Sequence, residues 1–390
     1  MKWERTFLGD IAEFKNGLNF NKDQYGEGVK YISVADFQDY FSVKTDGLAE
    51  LKEDFINESY FLKGGDILFV RSNGNKELVG RNLFIENAFE PLTFSGFCIR
   101  ARFTKEDVLP KFYAYLFKSK FFRNTLTANA GGTNINNLNQ GILSNLNIPK
   151  PPLPTQRKIA SILSAYDDLI ENNLKRIKLL EEKAFASYKL IVKSEKLIEG
   201  KVGDLADVKS GYAFKSRDWS EEGFPVIKIK NIGNNDIELT DCSFIPESIA
   251  EAANKFKLNA GDLLIAMTGA TVGKIGMMPK TETSFYLNQR VGIFKPKVEN
   301  AELFLFCFFN EPTAKNAVES LASGAAQPNI SGGQLESIKL YYPKIETVTE
   351  FGNSIKSHFE LIWNLKEQNN KLREARDILL PKLMSGQIEV

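Results

Sequence analysis

Leu8-Gly9-Asp10-Ile11-Ala12-Glu13-Phe14-Lys15-Asn16-Gly17 returns 194 residues later as Val202-Gly203-Asp204-Leu205-Ala206-Asp207-Val208-Lys209-Ser210-Gly211, and Phe20 and Phe214 keep that register. Further on, Leu62-Lys63-Gly64-Gly65-Asp66-Ile67-Leu68 is matched by Leu258-Asn259-Ala260-Gly261-Asp262-Leu263-Leu264 at a shift of 196. Asn134-Ile135 and Pro149 are echoed by Asn329-Ile330 and Pro343. A register that drifts by only two residues over this distance makes the 390-residue chain two tandem copies of one unit.

Within each copy, Val29 to Val34, Ile67 to Val70, Phe97 to Phe103, Val226 to Ile232, Leu263 to Met267 and Val291 to Phe294 are short, β-branched or aromatic, and bounded by Gly, Asn or Pro. They read as strands. Lys111 to Phe122 and Ala301 to Phe309 read as helices, so each module is expected to be α+β with a mainly antiparallel sheet.

The proline cluster Pro149-Lys150-Pro151-Pro152-Leu153-Pro154 closes the first module, Thr155 offers a helix N-cap, and the pattern then changes to heptads. Steps of four and three pass through Ile159, Leu163, Tyr166, Ile170, Asn173, Ile177 and Leu180, and on to Ala184, Ser187 and Ile191. The second copy gives Phe351, Ile355, His358, Ile362, Leu365, Asn369, Leu372, Arg376, Leu379 and Leu383. Helices of this length exceed roughly 50 Å at 1.5 Å per residue. Two matching seams in one chain can satisfy each other as an antiparallel coiled coil with internal pseudo-twofold symmetry, and Asn173 and Asn369 on the seam would fix its register. The expected divisions are a first module at 1–154, a long helix at 155–198, a second module at 199–345 and a second long helix at 346–390.

Composition removes several classes. No apolar run approaches the roughly 18 residues of a membrane span, which predicts a soluble, cytoplasmic chain. Cys98, Cys242 and Cys307 are odd in number and sit in apolar surroundings, as reduced core cysteines do. His358 is the sole histidine and lies on a heptad helix, which leaves no His-based triad or multi-histidine metal site. Gly269-Ala270-Thr271-Val272-Gly273-Lys274-Ile275 has three residues between its glycines and no hydroxyl after the lysine, so it reads as a turn between strands rather than a nucleotide loop. Adenine-methyltransferase Asn-Pro-Pro and Asp-Pro-Pro tetrads are missing, and Asp167-Asp168 and Glu181-Glu182 point apart on their helix. The 50 basic residues against 49 acidic leave a net charge of only +1, so any nucleic-acid surface must be local.

Such local sets exist on the loops. The first copy offers Arg71, Ser72, Asn73, Asn75, Lys76 and Arg81; the second offers Arg217, Lys228, Lys230, Thr271, Lys274, Asn288, Gln289 and Arg290. Arg, Asn and Gln read purine edges bidentately and Lys contacts phosphate. Their recurrence after the Gly-Asp strand, with different residues in each copy, fits two readers of unlike sequences.

The chain resembles the specificity subunit of type I restriction-modification systems. The resemblance rests on the Gly9-Asp10 and Gly203-Asp204 openings, Asn16 to Phe20 and Ser210 to Phe214, the Gly-Asp strands, Gly269 to Gly276, Leu287-Asn288-Gln289-Arg290, Pro152-Leu153-Pro154-Thr155-Gln156-Arg157-Lys158-Ile159-Ala160 and Leu380 to Ile388. It implies two target recognition domains, each reading half of a split double-stranded DNA site, and paired helices that space them and dock methyltransferase subunits, two in number. A restriction and translocation subunit would complete the complex. S-adenosylmethionine, ATP and Mg would then be held by partners, with no cofactor, metal or catalytic residue on this chain. The first copy departs from the pattern, with Thr93 to Arg100 near the place of Leu-Asn-Gln-Arg, and the second has Tyr342-Pro343-Lys344-Ile345-Glu346 in place of the Pro-Leu-Pro-Thr-Gln run. The specificity subunit of a type IIB system and a non-DNA coiled-coil scaffold are the alternatives.

Overall fold

A computed structural model of the chain describes residues 3–37, 41–75, 78–129, 137–233, 235–322 and 329–390. Lys76 and the Asn134-Ile135 pair fall outside them. The chain divides into two compact units, Met1–Asn172 with Asn369–Val390, and Asn173–Gln368, so both long helices contribute to both units.

The two units repeat one topology. In the first, Ala12–Asn16, Cys98–Phe103, Ile67–Val70 and Asn82–Phe84 lie side by side in that order, all antiparallel. In the second, Ala206–Ser210, Val291–Pro296, Leu263–Ala266 and Ile275–Met277 do the same. A smaller sheet accompanies each: Glu50–Leu51, Tyr25–Ile32 and Leu92–Phe94 in one, Ser243–Ile245, Phe224–Ile227 and Tyr286–Leu287 in the other. In each small sheet the last pair is parallel.

Ile67–Val70 is buried throughout because both of its faces are covered, which is why it reads as a continuous apolar run. Ile67 and Phe69 face the helical layer with Phe112 and Tyr113, while Leu68 and Val70 pack with Ile32, Leu83 and Phe94. Leu263 and Ile265 face helices in the same way, and Leu264 joins Ile227 and Leu287. Each such side chain contributes about 1.5–3 kcal/mol.

The recurring Gly-Asp pair is a structural device. Gly65 and Gly261 sit at φ +91° and +89°, conformations that suit glycine. The following carboxylates accept from Lys63 N and Asn259 N, each at 2.7 Å, and close the turn. Each also holds a cation on the neighbouring strand. Asp66 takes Arg102 bidentately at 2.7 and 2.6 Å, and Asp262 takes Lys295 at 3.3 Å.

Arg5–Phe7 pairs with Asn147–Pro149, and Ile198–Lys201 with Lys339–Tyr342, so the first and last strands of each module close on each other just before a long helix begins. The first long helix runs Leu153–Ser194 and starts before the expected Thr155 cap. Pro154 is tolerated in the first turn because its missing N–H would have had no helical acceptor there. Gln156, fully buried, accepts from Leu109 N at 2.8 Å and donates to Asp107 O and Pro151 O, tying the helix start to the module. The second long helix runs Ile345–Met384.

The seam holds in both units with antiparallel sense. In the first unit, Ile159 and Leu163 share a core with Leu380 and Leu383, and Leu379 packs against it. There Asn369, 1% exposed, donates to Ile170 O at 3.4 Å, and Arg376 pairs with Asp167 at 2.5 Å. Tyr166 and Leu372 are half-buried. In the second unit, Ile177, Leu180, Ala184 and Tyr188 meet Ile355, Ile362 and Leu365, and Asn173 is buried. Towards the module the strict heptad slips: Tyr188 is more buried than Ser187, and Phe359 more than His358. A helix turning every 3.6 residues outruns a 3.5-residue stepping over this length.

Two other segments differ from expectation. Val226 to Ile232 is not one strand, because Asn231 accepts from Lys228 N at 3.0 Å and bends Ile229–Asn231 into a 3₁₀ turn. Lys111 to Phe122 is two helices, Pro110–Lys118 and Lys120–Asn129, since extended Ser119 between them accepts from Phe122 N at 3.2 Å.

Candidate nucleic-acid interface

Parallel pairing in the small sheets decides where the loops go. Phe224–Ile227 and Tyr286–Leu287 run the same way, so the residues following both emerge at one end. The loop after Leu263–Ala266 joins them there: Met267 N donates to Arg290 O at 3.0 Å, and Thr271 Oγ1 to Ile229 O at 3.5 Å. Lys228, Lys230, Thr271, Lys274, Gln289 and Arg290 are thereby brought together. Thr271 is half-buried, and Lys274, Gln289 and Arg290 are exposed.

The cations differ in how they are held. Lys228 Nζ stands 3.5 Å over the Trp219 ring and donates to Ser243 Oγ at 2.8 Å. Burial, with Lys230 beside it, lowers its pKa from the ordinary lysine value. Lys230 pairs with Asp241 at 2.8 Å. Arg217 is exposed on its own 3₁₀ turn. Asn288 is only 8% exposed, and its Oδ1 accepts from Arg290 N at 3.1 Å. Its part is to shape the turn that presents Gln289 and Arg290.

The first module builds the same end. Tyr25–Ile32 runs parallel to Leu92–Phe94, and Arg71 N donates to Phe97 O at 2.7 Å while its guanidinium donates to Gly96 O at 3.3 Å. Ser72 is half-buried, Asn73 Oδ1 accepts from Asn75 N at 2.8 Å, and Arg81 is exposed. Equivalent bonds fix the correspondence between copies. Arg71 N to Phe97 O matches Met267 N to Arg290 O, and Gly96 N to Leu18 O matches Gln289 N to Tyr212 O. Gly96-Phe97 thus occupies the place of Gln289-Arg290.

Two parts of this end escape a reading based on charge and amides. Phe97 is 62% exposed at the position of Arg290, an apolar group of the kind that meets a thymine methyl. The turn Val34–Asp36, in which Asp36 accepts from Ser33 N at 2.7 Å, is the counterpart of Ile229–Asn231. Aligning Phe94-Ser95-Gly96-Phe97 with Leu287-Asn288-Gln289-Arg290 would have signalled the first.

Gly17 and Gly211 brace these loops. A Cβ on Gly17 would lie 2.1 Å from Ser95 O, and one on Gly211 2.3 Å from Leu287 O. The backbone passes so close that only glycine fits.

Among the described residues no cluster of three or more His, Cys, Asp or Glu could hold a metal ion, and no helix is long and apolar enough to cross a membrane. Two copies of one scaffold with differing cations, amides and aromatics on matched loops, joined by paired helices, define a duplicated recognition protein. The chain belongs to the family described as type I restriction modification DNA specificity domain, whose model matches residues 1–182 and again 195–374. It is 27% identical to the type I restriction enzyme MjaVIII specificity subunit of Methanocaldococcus jannaschii, covering 100% of this chain and 93% of that one. It is 25% identical to the EcoKI specificity subunit of Escherichia coli, covering 96% and 85%. The fold is similar to the crystal structure of a type I restriction-modification S subunit from M. genitalium, with a TM-score of 0.62 at 20% identity, covering 98% and 96%.

Proposed function

We propose that this chain is the sequence-reading, non-catalytic subunit of a type I restriction-modification complex, in which residues 1–154 and 199–345 each read one half of a bipartite DNA site. The observation that carries the reading is the pairing of an identical loop scaffold with unlike tips, Gly96-Phe97 in one copy and Gln289-Arg290 in the other. Bidentate Arg and Gln contacts read purine edges, whereas a phenyl ring meets thymine methyls, so the two ends favour different bases. Arg71, Asn73, Asn75, Lys76 and Arg81 serve the first half-site; Arg217, Lys228, Lys230, Thr271, Lys274, Gln289 and Arg290 the second.

The helices, 42 and 40 residues long and about 60 Å each at 1.5 Å per residue, set the spacing of the half-sites and dock two methyltransferase subunits. Methyltransferase and restriction subunits hold S-adenosylmethionine, ATP and Mg, and the assembly works in the cytoplasm. A family model of type I specificity domains and relatives named as type I subunits favour this reading over the type IIB one, and over a scaffold that does not touch DNA. Exchanging residues 1–154 with those of another family member tests it. The methylated sequence should change at one half-site only, and a change at both halves would contradict modular reading.

A further inference from the structure

On the first unit, at the base of the loop that ends at Arg81, a cleft of about 550 Å³ opens between the module and the end of the second long helix. Among the described residues six cations line it, Arg81, Lys118, Lys120, Arg123, Arg373 and Arg376, against one carboxylate, Asp377. Its floor is apolar, with Phe37, Tyr115 and Phe117 all buried. Lys118, Arg123, Arg373 and Arg376 all have partners. Arg376 is held by Asp167, which also accepts from Tyr115 Oη at 2.6 Å, and Arg123 Nη1 donates to Val79 O at 2.5 Å. Arg81 and Lys120 are exposed, and no carboxylate pairs with either among the described residues.

Arg81 and Lys120, exposed and without a paired carboxylate, stand with four further cations beside an apolar floor, and a bound anion lowers the repulsion among them. The scaffold does not require them. Arg123 N to Ser119 O matches Lys315 N to Glu311 O, so Lys118 and Lys120 correspond to Asn310 and Pro312 in the second module. The second copy keeps a cation at Lys315, the counterpart of Arg123, but has none at the places of Lys118 and Lys120.

We propose that this cleft is a phosphate site that takes backbone phosphates of the bound duplex beside the first half-site, without reading bases. Arg81 closes the loop that starts at Arg71, so the cleft continues the reading end of the same module. The proposal rests on the DNA-reading function above. The test uses the chain assembled with its methyltransferase subunits and compares wild type with the double variant Lys120→Gln, Arg373→Gln on specific and scrambled duplexes over a salt series. Each phosphate contact contributes about 0.9 to the slope of log affinity against log salt, so the variant should lose about tenfold in affinity and between about 1 and 2 of slope, equally on both duplexes. The preferred sequence should not change, and Lys120→Arg, Arg373→Lys should restore the slope. An unaltered slope in a variant that melts like wild type overturns the proposal, as does a defect confined to methyltransferase assembly, which would assign the cleft to a protein. Wild-type complex without salt-dependent binding would instead refute the DNA-reading function itself.

Discussion

Gly211→Val is expected to unfold the reading end of the second module and abolish recognition of one half-site while the other survives. The new Cβ would stand 2.3 Å from Leu287 O and 2.5 Å from Asn288 O, both backbone atoms that cannot rotate aside. The strand Ala206–Ser210 or the turn at Asn288 must then move, at a cost of about 3 kcal/mol or more, a large part of the 5–15 kcal/mol that holds a typical domain. Hydrogen exchange would show protection falling in residues 206–296 and persisting in 12–103. Gly333→Ala, where a Cβ meets nothing within 4 Å, is the control that should leave both regions protected. Equal loss of protection in both modules, or none in either, would contradict the assignment of Gly211.

The second large effect falls on specificity rather than folding. Gln289→Ala with Arg290→Ala removes two exposed side chains whose backbone already carries the turn, so the module should melt unchanged. Each bidentate base contact discriminates by about 1–3 kcal/mol, which is roughly 5- to 150-fold at one position. Selection from a duplex library should return a site relaxed at one or two positions of a single half, with the salt slope nearly unchanged because neither contact is assigned to phosphate. Grafting Gln and Arg onto positions 96 and 97 should alter the other half. A uniform loss on all sequences would instead make Gln289 and Arg290 backbone contacts.

Much of this architecture was legible because duplication writes each scaffold rule twice. Gly65-Asp66 and Gly261-Asp262 are legible since a left-handed glycine followed by a turn-closing carboxylate needs those two residue types in sequence. The heptad seam is legible from apolar spacing, down to Asn369 at its centre. What was not legible depends on contacts distant in sequence. Asn288 looks like a reader by type, but a parallel pairing with Phe224–Ile227 buries it. Lys228 and Lys230 look alike, yet one lies over Trp219 and the other is paired with Asp241. Phe97 carries no charge or amide to flag it, and only the bond from Arg71 N reveals that it stands where the second copy has Arg290. The basic cleft is assembled from four separated stretches of chain, so no window of sequence contains it. The net charge of +1 hides it further, since charges elsewhere cancel the sum.

The central claim, one chain reading two unlike half-sites, is tested most directly by sequencing the methylated bases of a host that co-expresses the chain with the methyltransferase subunits proposed for it. Two short specified sequences of different composition, separated by a constant number of unspecified base pairs, are the predicted result. A single contiguous motif, or methylation without any shared sequence, would contradict it.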